Sequence, residues 1–368
     1  MTLDPPSIDL NPKMRMFSVL IDFDCQVDTS DVYENSWAVD FLNFFQNVKQ
    51  NNSRLLHLEV GESFTFAVTD DFKIYSWGLN DYCQLARKVL PNVTHNYPAQ
   101  CKIFSEINPR LLSSGDEHTV MVDYCNETYV WGGNMAGQLG IGHSREPRSV
   151  IKLTSLKQGV KYVASKGRKS YLVTNDGKLY SWPNKDVNSK FSPALCKVID
   201  SNISFSQVSC GQNFAVALTC NGLLYSRGTN NYGQLGLGDL RSREEFTLID
   251  SLKDYGEKTV EISCGHQHSA CKTATGKVFT WGSGLQGQLG VGSKKQAIKP
   301  VLVKAVEATL KAKSVQAGYY ATYILFENRK VYQAGSVSAT NTENMSFKLF
   351  NYEQKVALTD LRSSAKAN

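Results

Sequence analysis

A glycine stands sixteen residues ahead of an aromatic position again and again along this chain. Gly61 precedes Trp77, Gly115 precedes Trp131 and Gly265 precedes Trp281 at that offset. The same register joins Gly211 to Arg227, and Gly318 to Ala334, where the aromatic is lost. It also joins Trp182 to Lys166, where the glycine is lost. The six anchors at 77, 131, 182, 227, 281 and 334 have a mean spacing of about 51 residues. A period of that size belongs to solenoids, propellers and arrays.

Within each unit the residues read as short strands. Phe64-Thr65-Phe66-Ala67-Val68 leads through a polar Asp70-Asp71 turn to Tyr75-Ser76-Trp77-Gly78. The second unit repeats this with His118–Val122 and Tyr129–Gly132, and the fourth with Phe214–Leu218 and Leu224–Gly228. Segments rich in Val, Tyr and Phe, broken by Gly and Asn or Asp, describe antiparallel all-β structure. The glycines suit places where blades converge too closely for a Cβ. The Gly-Gln-Leu-Gly turns suit positive φ, and the tryptophans suit packing between blades.

Three units carry Gly-Gln-Leu-Gly-x-Gly in one register, at Gly137–Gly142, Gly233–Gly238 and Gly287–Gly292. The first two follow Gly132-Gly133-Asn134 and Gly228-Thr229-Asn230. This signature resembles the regulator of chromosome condensation repeat family over roughly residues 55–335. The resemblance implies a seven-bladed β-propeller, which matches 368 residues divided by the period. The expected layout is a tail over 1–13, one propeller over 14–360 and a tail over 361–368. Segments 14–54 and 336–360 then supply strands such as Met16–Phe23 and Met345–Phe350 to a composite seventh blade. A six-bladed ring with decorated ends is the alternative. Trp37–Val48 has apolar residues at helical spacing.

The units are not equal. The third has Lys166 for its glycine, Lys169 where others have His118 and His268, Trp182-Pro183 for Trp-Gly, and no Gly-Gln-Leu-Gly turn. The first has Cys83-Gln84-Leu85-Ala86 at that turn. His118, His268 and Phe64 share a repeat position, so the histidines read as packing residues. Gly61, Trp77, Gly115, His118, Trp131, Trp182, Gly211, Gly265, His268, Trp281 and Gly318 are thus expected to be structural.

No chemistry-bearing constellation emerges. Gly282–Gly287 matches Gly-x-Gly-x-x-Gly without a following helix in a βαβ unit, and no Walker-type sequence occurs. Nine cysteines show no Cys-x-x-Cys pair, and six histidines show no metal-ligand spacing. No cofactor, metal site or catalytic residue is expected. Scattered cysteines point to a reducing compartment, and analogy with scaffold propellers places the expectation in the cytoplasm or in cytoskeletal and ciliary structures rather than the nucleus. No apolar run is long enough to span a membrane.

Charge is uneven. Residues 1–50 hold eight acidic and three basic side chains, and 151–200 hold ten basic and three acidic. Lys161, Lys166, Arg168, Lys169, Lys185 and Lys190, with Lys178 nearby, form a candidate patch for a protein with an acidic surface. Aromatics do not interleave with this run, which disfavours specific nucleic-acid binding. The leading expectation is a non-enzymatic interaction platform or structural subunit. The family resemblance implies guanine-nucleotide exchange on a small GTPase as the alternative, and the acidic N-terminal stretch does not match a basic chromatin tail. A plant-type photoreceptor would need many face-clustered tryptophans, and this chain has five.

Overall fold

The computed structural model describes residues 53–88, 95–156, 158–183, 191–196, 198, 202–304, 310–336 and 344–350. These residues form six four-stranded antiparallel meanders, one per repeat. Blade 1 is β1 (Leu55–Val60), β2 (Phe64–Thr69), β3 (Ile74–Gly78) and β4 (His95–Gln100). Blade 2 is β5 (Pro109–Ser114), β6 (His118–Asp123), β7 (Thr128–Gly132) and β8 (Ile151–Lys152). Blade 3 is β9 (Val160–Lys166), β10 (Lys169–Thr174), β11 (Leu179–Trp182) and β12 (Ala194–Leu195). Blade 4 is β13 (Phe205–Cys210), β14 (Phe214–Thr219), β15 (Leu224–Gly228) and β16 (Arg243–Leu248). Blade 5 is β17 (Thr259–Cys264), β18 (His268–Thr273), β19 (Val278–Gly282) and β20 (Ala297–Leu302). Blade 6 is β21 (Ala312–Ala317), β22 (Ala321–Phe326), β23 (Val331–Gly335) and β24 (Asn344–Leu349).

The expectation of seven blades is corrected to six. Asn344–Leu349 pairs with β23 through Tyr332↔Leu349 and Gln333↔Lys348, so it is the fourth strand of blade 6 rather than part of a composite blade. The strand expected at 16–23, the helix at 37–48 and the tails lie outside the described residues.

Blades 2 to 5 bury both faces of their sheets, and the cores lie between blades. Phe66, Leu85, Met121 and Trp131 join blades 1 and 2, and Val120, Leu139, Leu172 and Trp182 join blades 2 and 3. Similar clusters centred on Phe246, Trp281 and Ala334 join the next three pairs. The outward faces of blades 1 and 6 hold only small clusters, around Leu58 with Ala67 and around Leu325 with Val331. Among the described residues, no such core joins blade 6 to blade 1.

The repeat signature encodes the contacts between blades. The indole Nε1–H of Trp131 donates to the Gln84 carbonyl of the blade before it at 3.0 Å, and Trp182 reaches the Gln138 carbonyl at 2.8 Å. Ser170 Oγ donates to the same Gln138 carbonyl at 3.1 Å. With its proton so used, Ser170 accepts from His118 Nε2, 2.7 Å away in the preceding blade. His268, Thr322 and the Gln288 carbonyl repeat this chain between blades 5 and 6. Arg227 stands at the Trp position of blade 4, and the blade before it lacks the Gly-Gln-Leu-Gly sequence.

The turn glycines adopt positive φ, at 82°, 70° and 86° for Gly137, Gly140 and Gly142. Blade 1 makes the same turn without glycine, with Cys83 at φ 61° and Ala86 at 52°. The turn is therefore present there, in a conformation that costs an L-residue roughly 1–2 kcal/mol. Gln84 Oε1 still accepts the Tyr82 N–H, as Gln138 accepts that of Ala136. Asn80, Asn134 and Asn230 tie the loops from within, each accepting from the backbone N–H of the motif leucine.

The candidate interaction face

Antiparallel pairing decides which loops share a face. In each blade the first strand ends where the third ends, as Phe64↔Gly78 and His118↔Gly132 show. The loop after the repeat glycine and the loop after the Trp-Gly position therefore lie together at one end of the propeller. Leu79 N–H donates to the Ser63 carbonyl, and Gly133 N–H to that of Glu117, which fastens the two loops of each blade.

Around the axis, the loops after the repeat glycine are tied to one another at three of the junctions between blades. Asp116 N–H donates to the Gly167 carbonyl at 3.0 Å, Gln212 N–H to that of His266 at 3.1 Å, and His266 N–H to that of Tyr319 at 3.3 Å. The repeat glycine makes this approach possible. A Cβ on Gly265 would sit 2.3 Å from the Gly318 carbonyl oxygen and 2.2 Å from His268 Cε1. On Gly115 it would meet His118 Cε1 at 2.2 Å, and on Gly61 the Phe64 ring at 2.4 Å. Blade convergence accounts for only part of this demand. In four blades the ring three residues on lies over the glycine.

His118 and His268 are fully buried and held neutral. Burial lowers both to a pKa of about 3, and Nδ1 of each has no hydrogen-bond partner for a second proton. Nearer the mouth, burial also lowers the His266 pKa, Lys166 adds to the effect and Asp116 opposes it. The His266 ring stacks on Tyr319 with centroids 4.0 Å apart, and Tyr320 stands edge-on to Tyr319. Burial raises the Tyr319 phenol, and Tyr320, Glu62 and Asp116 raise it further. Side chains from blades 1, 2, 3, 5 and 6 thus share one mouth.

The expected basic patch divides. Lys166, Arg168 and Lys169 lie on this face, with Arg168 Nη2 3.9 Å from Glu117 Oε1 of blade 2. Lys161 lies five residues earlier on β9, about 16 Å along an extended strand and toward the opposite end. Lys178 is at that opposite end too, paired with Asp176 at 3.3 Å. Lys185 and Lys190 lie outside the described residues. Gly282–Gly287 is the loop between β19 and β20, in repeat register. Among the described residues, no group of three or more His, Cys, Asp or Glu side chains is arranged to hold a metal ion, and no helix is long and apolar enough to cross a membrane.

Apolar side chains share the face with these charges. Met135 is 61% exposed, Leu285 55%, Leu79 45%, Tyr319 44% and Tyr320 42%. Sequence reading missed these residues and His266, Asp116 and Glu117. Reading one and two places beyond each repeat glycine, or beyond the buried Asn, would have found most of them.

Comparison with known proteins agrees with the geometry. Residues 73–122, 221–271 and 275–325 match the regulator of chromosome condensation repeat, and a second profile of that repeat matches 205–234 and 260–288. The ultraviolet-B receptor UVR8 of Arabidopsis thaliana is 30% identical over 264 residues, covering 69% of this chain and 58% of the receptor. The probable E3 ubiquitin-protein ligase HERC4 of Homo sapiens is 31% identical over 222 residues, 56% of this chain but 20% of the ligase. The chain thus spans from about a fifth to just over half of these relatives. Among solved structures, human WBSCR16 superposes with a TM-score of 0.67 at 24% identity, over 75% of this chain and 72% of that one. Prp20p of Saccharomyces cerevisiae gives 0.69 at 18% identity, over 82% and 78%. At such identities the likeness is one of fold. With the repeats matched in register and the blades built from them, the chain belongs to the regulator of chromosome condensation repeat family.

Proposed function

We propose that the chain is a protein-docking platform and that the face carrying the repeat-glycine loops receives its partner. The supporting observation is the array of exposed Leu79, Met135, Leu285, Tyr319 and Tyr320 beside charges of both signs. Tyr, Met and Arg are enriched at protein interfaces, where apolar anchors supply most of the energy and charges set orientation. Lys166, Arg168 and Lys169 favour an acidic segment of the partner. Asp116 and Glu117 confine that preference to the blade 3 side. The free thiols of the eight described cysteines suit a reducing compartment, and a docking platform suits the cytoplasm or cytoskeletal and ciliary structures.

Prp20p is described as binding Gsp1p and histones, and exchange on a small GTPase is the competing reading for this chain. Affinity capture of the tagged chain from its own cells, at low and high salt, separates the two. We expect a stoichiometric protein partner that is lost when Lys166, Arg168 and Lys169 are all changed to Glu. Recovery of a small GTPase, tightest after nucleotide is stripped, would replace the platform with an exchange factor.

A further inference from the structure

On the outer rim, the junction of blades 1 and 2 holds a cleft of about 460 Å³. Its walls come from the turn after β3, from the segment that follows β4 and from the segment that leads into β8. Arg87 and Lys88 stand on the first, Lys102 and Ile103 on the second, and Arg148 and Val150 on the third. No acidic side chain and no aromatic ring lies among the described residues lining it. Four cations thus meet over a floor that includes Ile103 and Val150, and Ile103 is half exposed. Among the described residues, no carboxylate forms an ion pair with Lys88, Lys102 or Arg148.

Size and chemistry narrow the occupant. The volume falls within the roughly 300–1,000 Å³ of pockets that seat organic ligands and is far more than one small anion needs. Single-stranded nucleic acid would call for stacking rings, and the cleft has none. Guanidinium groups such as Arg87 and Arg148 match carboxylates in a forked geometry, and an exposed aliphatic floor calls for an aliphatic side chain. We propose that this cleft binds an acidic peptide segment of a protein partner, with an aliphatic side chain flanked by carboxylates seated on Ile103 and Val150. The site lies between blades 1 and 2, on the far stretches of the loops that follow Gly78 and Gly132 and on the segment after β4, and it contains none of Leu79, Met135, Leu285, Tyr319 and Tyr320.

A random peptide library displayed on phage and panned against the immobilised full chain tests this. We expect enrichment of sequences with an aliphatic residue between Asp or Glu residues. A labelled peptide made from them should bind Arg148→Glu/Lys102→Glu at least about tenfold more weakly and Ile103→Ser several-fold more weakly. Lys178→Glu, at the opposite end of blade 3, should leave binding unchanged. Thermal melting confirms that each variant is folded, and Lys88→Glu substitutes for any that is not. Enriched peptides lacking acidic residues, or equal binding to the charge-reversed variants, would overturn the proposal. So would displacement of the peptide by an equal concentration of inorganic phosphate, or tighter binding of a poly-dT oligonucleotide to the same residues.

Discussion

Trp281 and Gln234 belong to neighbouring blades, and the indole nitrogen of one donates to the backbone carbonyl of the other at 2.9 Å. Trp281 is fully buried in the core between blades 4 and 5. Trp281→Phe removes the hydrogen bond, leaves a carbonyl short of one donor and opens a small void. We expect a loss of about 1–3 kcal/mol in urea denaturation. Trp77→Phe, at a half-buried position on the outward face of blade 1, should cost less.

The same interlocking makes stability depend on acid. His118 and His268 titrate near 6.5 when unfolded and at about 3 when folded. Because the folded values are depressed, their contribution is fully present above pH 6.5. It declines as the pH falls from 6.5 toward 3, where the unfolded chain takes up protons that the folded one refuses. Each histidine steepens the slope by up to about 1.4 kcal/mol per pH unit inside that window. His118→Phe, which installs the residue found at Phe64 and Phe214, should flatten the melting temperature between pH 6.5 and 4.5 relative to the parent.

Repeat glycines should differ in tolerance by location. Gly265→Ala drives a methyl into a backbone oxygen at 2.3 Å and the His268 ring at 2.2 Å, and overpacking of this kind costs about 1–3 kcal/mol. Gly318→Ala meets nothing nearer than the Ala321 carbonyl at 3.5 Å, because blade 6 has no ring at that position. It should shift stability by less than about 0.5 kcal/mol. Comparison of the two urea midpoints checks the difference.

Blade 1 offers the opposite change. Ala86 holds φ at 52° in a turn where blades 2, 4 and 5 use Gly140, Gly236 and Gly290. Relief of the left-handed conformation outweighs the added freedom of the unfolded chain. Ala86→Gly should therefore raise stability by about 0.5–1 kcal/mol, read from the denaturation midpoint.

The repeat register and the inner three strands were legible in blades 1, 2, 4 and 5 from local patterns, a ring over a glycine and a strand ending in Gly sixteen or seventeen residues on, and blades 3 and 6 followed from the spacing. Fourth strands were not. β8 and β12 have two residues each, and β16 and β20 bury one residue apiece, Phe246 and Pro300, so no alternation marks them. Residues near 345 therefore looked available for a seventh blade when blade 6 required them. The charge run was read without the strand that divides it. Neighbours in sequence such as Lys161 and Lys166 are parted by the length of a strand, while Asp116, His266 and Tyr319 converge from three blades because each follows a repeat glycine.

The docking face is tested most directly by hydroxyl-radical footprinting of the captured complex against the free chain. Met135, Tyr319 and Tyr320 report on the loop face, and Tyr124, 44% exposed in the turn between β6 and β7, reports on the opposite one. We expect the first three to lose reactivity when the partner is bound while Tyr124 keeps its own. Protection of Tyr124 with Met135, Tyr319 and Tyr320 still reactive would place the partner on the other face and contradict the proposal.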